Sequence, residues 1–173
     1  MGSSKYWIAA AFAAAAVAPS DAAPVAASKN SGSHALILVP LTLTKIADLD
    51  FGTIVPSATS GSVTINAKTG VRTTTGGAFG LPSDLGHRGY FGGAGSPNQQ
   101  VIVSFDQPDN LVSTTNPADL IPVLALTLDG SAIRTIDPVT RTFFFGLGGV
   151  IQVNAGQNDG DYVATFDVTA NYL

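Results

Sequence analysis

Asp161-Tyr162-Val163-Ala164-Thr165-Phe166-Asp167-Val168-Thr169-Ala170-Asn171-Tyr172-Leu173 is the stretch on which the fold turns. Tyr162, Ala164, Phe166, Val168, Ala170 and Tyr172 fall on one face, and Val163, Thr165, Asp167, Thr169 and Asn171 on the other. A sustained period of two predicts a single half-buried β-strand. Its strongly apolar face belongs in a core. The chain stops at Leu173, so no later strand is expected to pair with its free side. An unpaired apolar edge is a liability that proteins usually blunt, and here the only charge inside the strand is Asp167.

The opposite end has the complementary problem. In Ala35-Leu36-Ile37-Leu38-Val39, the residues Ala35, Ile37 and Val39 form one face and Leu36 and Leu38 the other. A loose leader rich in Ala, Ser, Asn and Gly precedes them, with nothing to bury. Pro40 lacks an N–H and cannot hold a central ladder position, so it separates residues 35–39 from the strand that starts at Leu41. Two readings stand side by side. The segment folds back as an edge strand of its own domain, or it leaves and fills the gap beside residues 162–172 of a neighbouring copy.

Between these ends, short runs rich in Val, Ile, Thr and Phe are bounded by Gly, Asn, Asp and Pro. Strands are expected at 41–46, 62–66, 71–75, 100–105, 121–128, 131–136, 142–145 and 150–153. A Gly-rich region at 76–95 reads as loops. No window after the N-terminal segment sustains helical periodicity. The expected fold is all-β, a two-sheet sandwich over residues 41–173.

Residues 1–5 carry one Lys and are followed by the apolar run 6–18 and then by small residues, the three-part pattern of a secretory signal peptide. Residues 1–22 are read as that signal, with cleavage after 22 or 27, and 23–40 as a flexible leader. The run is shorter than the roughly 20 residues a spanning helix needs, so no membrane span is expected in the mature protein. Of the 173 residues only 12% are charged, against about 25% in ordinary globular chains. All 12 acidic residues are Asp, a turn residue. The formal charge of −4 argues against a nucleic-acid footprint, which needs clustered Lys and Arg. With no Cys there is no disulfide framework, zinc-thiolate site or Cys nucleophile.

Candidate sites for chemistry are thin. His34 lies in the leader, and His87 sits beside Arg88 in the Gly-rich region with no partner visible in the sequence. No Gly-x-Ser-x-Gly elbow occurs. Gly146-Leu147-Gly148-Gly149 lies between two β patterns, with no helix to offer its N-terminus to a phosphate. Asn158-Asp159-Gly160-Asp161 lacks the spacing and closing Glu of a calcium loop and reads as a turn. Phe143-Phe144-Phe145 reads as core ahead of a sugar-stacking platform. Asp48 and Asp50 alternate with Leu49 and Phe51 and point outward. No catalytic, cofactor or metal residue is assigned, and the protein is not expected to be an enzyme.

Several segments together carry a resemblance. They are Leu41-Thr42-Leu43-Thr44-Lys45, Leu49-Asp50-Phe51-Gly52-Thr53-Ile54-Val55, Gly95-Ser96-Pro97, Val101-Ile102-Val103-Ser104-Phe105, Gly148-Gly149-Val150-Ile151-Gln152-Val153 and Gly160-Asp161-Tyr162 through Tyr172. In that order they resemble an uncharacterised family of exported proteins of gram-negative bacteria, itself similar to spore-coat-U-like and archaic chaperone–usher pilins. The shared marks are Leu-x-Phe-Gly near the start and a final Gly-x-Tyr strand with a penultimate Tyr.

The resemblance implies an incomplete immunoglobulin-like sandwich, exported through the periplasm, held by a periplasmic chaperone and polymerised through an outer-membrane usher into a surface fibre. By that resemblance the donor strand is Ala35, Ile37 and Val39. The acceptor-groove edge is Tyr162, Ala164, Phe166, Val168, Ala170 and Tyr172, and the Leu173 carboxylate is what a chaperone anchors. Archaic pilins commonly carry a Cys pair near the first strand; this chain has none. The function expected is a structural, self-polymerising subunit. The alternative is a self-contained secreted β-sandwich that binds a ligand such as carbohydrate near the 76–95 loops.

Overall fold

The computed structural model describes residues 29–173, so the expected signal segment and its cleavage positions lie outside the described residues. The described part is all-β and contains no helix. Its strands are β1 (Thr42–Ala47), β2 (Ile54–Val55), β3 (Gly61–Ile65), β4 (Arg72–Gly76), β5 (Phe79–Gly80), β6 (Gly89–Ala94), β7 (Gln100–Phe105), β8 (Asn110–Ser113), β9 (Leu120–Leu128), β10 (Ile133–Thr135), β11 (Thr142–Val153), β12 (Tyr162–Val163) and β13 (Val168–Tyr172). Every ladder between them is antiparallel.

Strand β11 is the spine of the larger sheet, whose order is β1-β6-β11-β9-β8-β12. Its first half pairs with β6 (Phe145 opposite Phe91) and its second half with β3 (Val150 opposite Thr64), while β9 pairs along the middle. The smaller sheet runs β10-β7-β13. Buried residues alternate along β3, β6 and β7, so both sheets turn one face to a shared core. That core joins Val101 and Val103 of β7 to Phe143, Phe145, Leu147 and Ile151 of β11, all buried. Phe91 stacks on Phe145 with ring centroids 5.2 Å apart.

Four expectations need correction. First, the Gly-rich region contains two strands, the short β5, paired with β2, and β6, lodged between β1 and β11. Glycine weakens strand propensity, but here it makes room: a Cβ at Gly92 would lie 2.8 Å from the Phe144 ring, and one at Gly93 would strike the Phe143 ring. Second, residues 142–153 form one strand of 12 residues, not two runs with a glycine gap. The ladder through Gly148 and Gly149 continues because β9 and β3 pair there regardless of side chain.

Third, the expected continuous strand at 161–173 is divided. β12 pairs with β8 in the larger sheet and β13 with β7 in the smaller one, and residues 164–167 pass between them outside any strand. The alternation nevertheless holds, with Tyr162, Ala164, Phe166, Val168, Ala170 and Tyr172 half-buried and each residue between them exposed. A period of two reports which side faces the core; it does not say which neighbour pairs. Fourth, residues 35–39 do not fold back as an edge strand of their own domain.

The chain divides into two units, Met1–Leu36 and Ile37–Leu173. The described residues of the first, 29–36, are exposed and outside any strand. No helix of the described residues is long and apolar enough to cross a membrane.

Candidate functional site

Among the described residues, strand β1 pairs on one flank only, with β6, and β13 on one flank only, with β7. Alternation turns Leu41, just before β1, and Leu43 of β1 inward to pack against the core, and Val168, Ala170 and Tyr172 of β13 do the same. Between β1 and the C-terminal segment lies a groove of about 330 Å³, lined by Leu43, Lys45, Asp48, Leu49, Phe91, Ala164, Thr165, Phe166 and Val168. Its rim carries an exposed ion pair, Lys45 Nζ to Asp48 Oδ1 at 2.6 Å. An edge-strand lysine of this kind discourages indiscriminate edge pairing.

The proposed acceptor residues separate into three places. Ala164, Phe166 and Val168 line the groove. Tyr162 belongs to β12, where its hydroxyl donates to the Asn158 carbonyl at 2.8 Å and accepts from Gln157 Nε2 at 3.0 Å, so it ties down the preceding turn. Ala170 and Tyr172 lie further along β13. The Tyr172 hydroxyl accepts from the Ser96 N–H and donates to the Val39 carbonyl, and the Val39 N–H donates to Ser96 Oγ, each at 2.7 Å. Leu173 continues the ladder through its N–H to the Gln100 carbonyl at 3.0 Å, with its side chain exposed.

Of the proposed donor residues, Ala35 is exposed, Ile37 is 91% exposed and Val39 is 48% exposed. An almost bare isoleucine beside an exposed Leu36 is an unusual use of apolar side chains. The residues that sequence reasoning missed are Leu43, Lys45, Leu49 and Phe91 as the opposite wall, and Ser96 as a partner of Tyr172. Leu-Thr-Leu-Thr alternation marked β1 as a strand, but nothing in it says that one flank stays unpaired.

The remaining candidates have local roles. His87 Nδ1 lies 3.0 Å from the Asp48 carbonyl and its Nε2 4.0 Å from Asp50 Oδ2, while the two backbones of Asp50 and His87 bridge. This places an exposed His–Asp pair on the loop that enters β6. Asp48 and Asp50 are solvated as their alternation requires, with side chains 72% and 52% exposed. Asn158 donates its amide to Asp119 at 2.9 Å. Phe143 and Phe145 are core, whereas Phe144 is half-exposed and stacks on Tyr90 at 6.0 Å, with the Arg88 guanidinium 4.9 Å from the Tyr90 ring centre. Among the described residues no group of three or more His, Cys, Asp or Glu gathers at metal-binding distance.

No curated protein and no solved structure matches the chain. Residues 41–172, from the residue before β1 to the end of β13, match the family described as Domain of unknown function (DUF4402), and the chain belongs to that family.

Proposed function

We propose that the protein is a structural, pilin-like subunit of a surface fibre, polymerising by donor-strand exchange. Residues 35–39 of one copy enter the groove of the next and complete an immunoglobulin-like sandwich. The observation that carries this reading is a coincidence of need and supply. A groove flanked by two strands with unpaired edges sits in the same chain as an apolar segment that has no ladder and exposes Ile37 almost fully. A strand laid between β1 and β13 gains main-chain hydrogen bonds on both flanks, and its alternate side chains fill the slot. Burying three apolar side chains adds about 5–9 kcal/mol as an upper figure.

The subunit is exported through the periplasm to the cell surface, with a periplasmic chaperone covering the groove and holding the Leu173 carboxylate, and an outer-membrane usher ordering the exchange. It is not an enzyme, and its work is mechanical. A chain lacking residues 28–39 is expected to fold and stay chaperone-bound yet form no fibre, whereas full-length assemblies resist cold detergent and fall to monomers only on boiling. Normal polymerisation of the truncated chain would refute the donor assignment.

One observation favours a second reading, a self-contained secreted binding module. The exposed Phe144 beside Tyr90 offers an aromatic platform on the outer face of the larger sheet. Native mass of the secreted protein separates the two, since this reading requires a stable monomer.

A further inference from the structure

The outer face of the larger sheet carries a hollow of about 300 Å³ that shares no lining residue with the groove beside β13. Strand register fixes its corners. Thr44 of β1, Gly92 of β6 and Phe144 of β11 lie in one row, and Thr42, Ala94 and Thr142 in the next. Alternation turns this set away from the core, and Thr42, Thr44 and Phe144 are exposed. The rectangle measures about 7 Å along the strands and about 10 Å across them, the footprint of one pyranose ring. Gly92 makes the floor: a Cβ there would lie 2.8 Å from the Phe144 ring and 3.2 Å from Ile46 Cδ1, so those two groups close over it.

We propose that this hollow binds an uncharged sugar residue of a glycan, with a C–H face of the sugar against Phe144 and its hydroxyls on Thr42, Thr44 and Thr142. The inference rests on the aromatic platform of the second reading and gives it a ligand class. It needs no stable monomer, because the hollow and the groove are separate sites.

An aromatic π-face is negative and attracts the weakly positive C–H groups of a sugar, and Phe144 is 50% exposed. Its ring is held in place by Tyr90, 10° from parallel with centroids 6.0 Å apart. Around it the hydroxyls keep hydrogen-bonding capacity: Thr142 Oγ1 bonds to Thr140 Oγ1 at 2.8 Å, and Thr42 Oγ1 reaches the Ala94 carbonyl at a long 3.4 Å. No charged side chain lines the hollow, so a neutral ligand enters it without stripping a charge of water. Arg88, on the same face, is engaged elsewhere. Its guanidinium lies over the Tyr90 ring, and its Nη1 donates to the carbonyls of Ala67 and Lys68. A strand from another copy finds no ladder here, because β6 is already paired on both flanks.

The test titrates full-length protein, in whatever assembly state it is secreted, into fluorescently labelled cellohexaose, maltohexaose and N-acetylchitohexaose, with hexagalacturonate as the charged control. At least one neutral probe is expected to bind, and the control is not. Phe144→Leu keeps apolar cover over Gly92 but has no π-face, and is expected to weaken that binding by about tenfold. Thr44→Val, which removes one hydroxyl at nearly constant shape, is expected to weaken it by about threefold or more. Absence of binding by all three neutral probes overturns the proposal, as does equal binding of hexagalacturonate or unchanged affinity in Phe144→Leu. Should Phe144→Leu not fold, Thr44→Val decides by the same titration, and unchanged affinity overturns the site. Self-association that is lost in Phe144→Leu, with no probe bound, would assign the hollow to a second copy and overturn it too. Native mass keeps this failure apart from failure of the second reading. A stable monomer that binds none of the probes loses the glycan site while the module reading stands, whereas a fibre that binds through Phe144 keeps the site and removes that reading.

Discussion

Beneath the rings of Phe143 and Phe144 the backbone of β6 passes through Gly92 and Gly93, and these two residues let an aromatic spine and an edge strand lie on either side of it. A Cβ at Gly93 would strike the Phe143 ring and come within 2.7 Å of the Thr42 carbonyl on β1. Gly93→Ala therefore overpacks the core and is expected to destabilise the fold by about 1–3 kcal/mol, read as a lower midpoint in urea. A second local lock is the guanidinium of Arg72, which donates to the carbonyls of Phe51, Thr53, Asp84 and Leu81 and so gathers the loops around β2 and β5. Beside it, the Asp84 carboxyl is held below its ordinary value of 3.8, first by the Thr53 hydroxyl at 2.7 Å. Partial desolvation opposes this, and the Gly86 and Thr53 amides and the Arg72 charge reinforce it. A lowered folded value means that this contact contributes in full above the unfolded value and fades as pH falls through the folded one. A carboxyl titration by NMR should give Asp84 a midpoint below 3.8, moving back up in Thr53→Ala.

Among the described residues, strands β1 and β13 each leave a row of main-chain groups without a ladder partner on the side of the groove. If that row is where another copy binds, the amides of Thr42–Ala47 and Val168–Tyr172 that face the groove exchange rapidly in the monomer. They should slow by at least about tenfold on assembly, while β9 and β11 stay protected in both states. Much of this layout was legible in advance. Alternation placed Phe166, Val168, Ala170 and Tyr172 on one inward face, and Leu-Thr-Leu-Thr marked β1 as a strand. What was not legible is pairing. Tyr162 and Val168 share a face yet join different sheets, because the ladder partner is set by distant strands, β8 and β7, that local periodicity does not report. β6 was hidden because its glycines read as loop, although the neighbouring Phe143 and Phe144 supply the bulk those glycines lack. Ser96 was hidden for a third reason: a hydroxyl between Gly and Pro reads as a turn until Tyr172 arrives from the far end of the chain.

At the scale of the molecule, the described residues combine a core that carries a slot between β1 and the C-terminal segment with an apolar leader of the length of a short strand. Absence of cysteine makes the consequence directly measurable, because any thiol introduced is the only one present. Ile37→Cys and Ala164→Cys are prepared as separate chains, mixed during assembly and oxidised. Donor-strand exchange predicts a disulfide-linked dimer joining one chain of each kind on a non-reducing gel, formed only in the mixture. A chain carrying both substitutions that closes its disulfide as a monomer, with no dimer formed in the mixture, would show each copy filling its own slot and would contradict it.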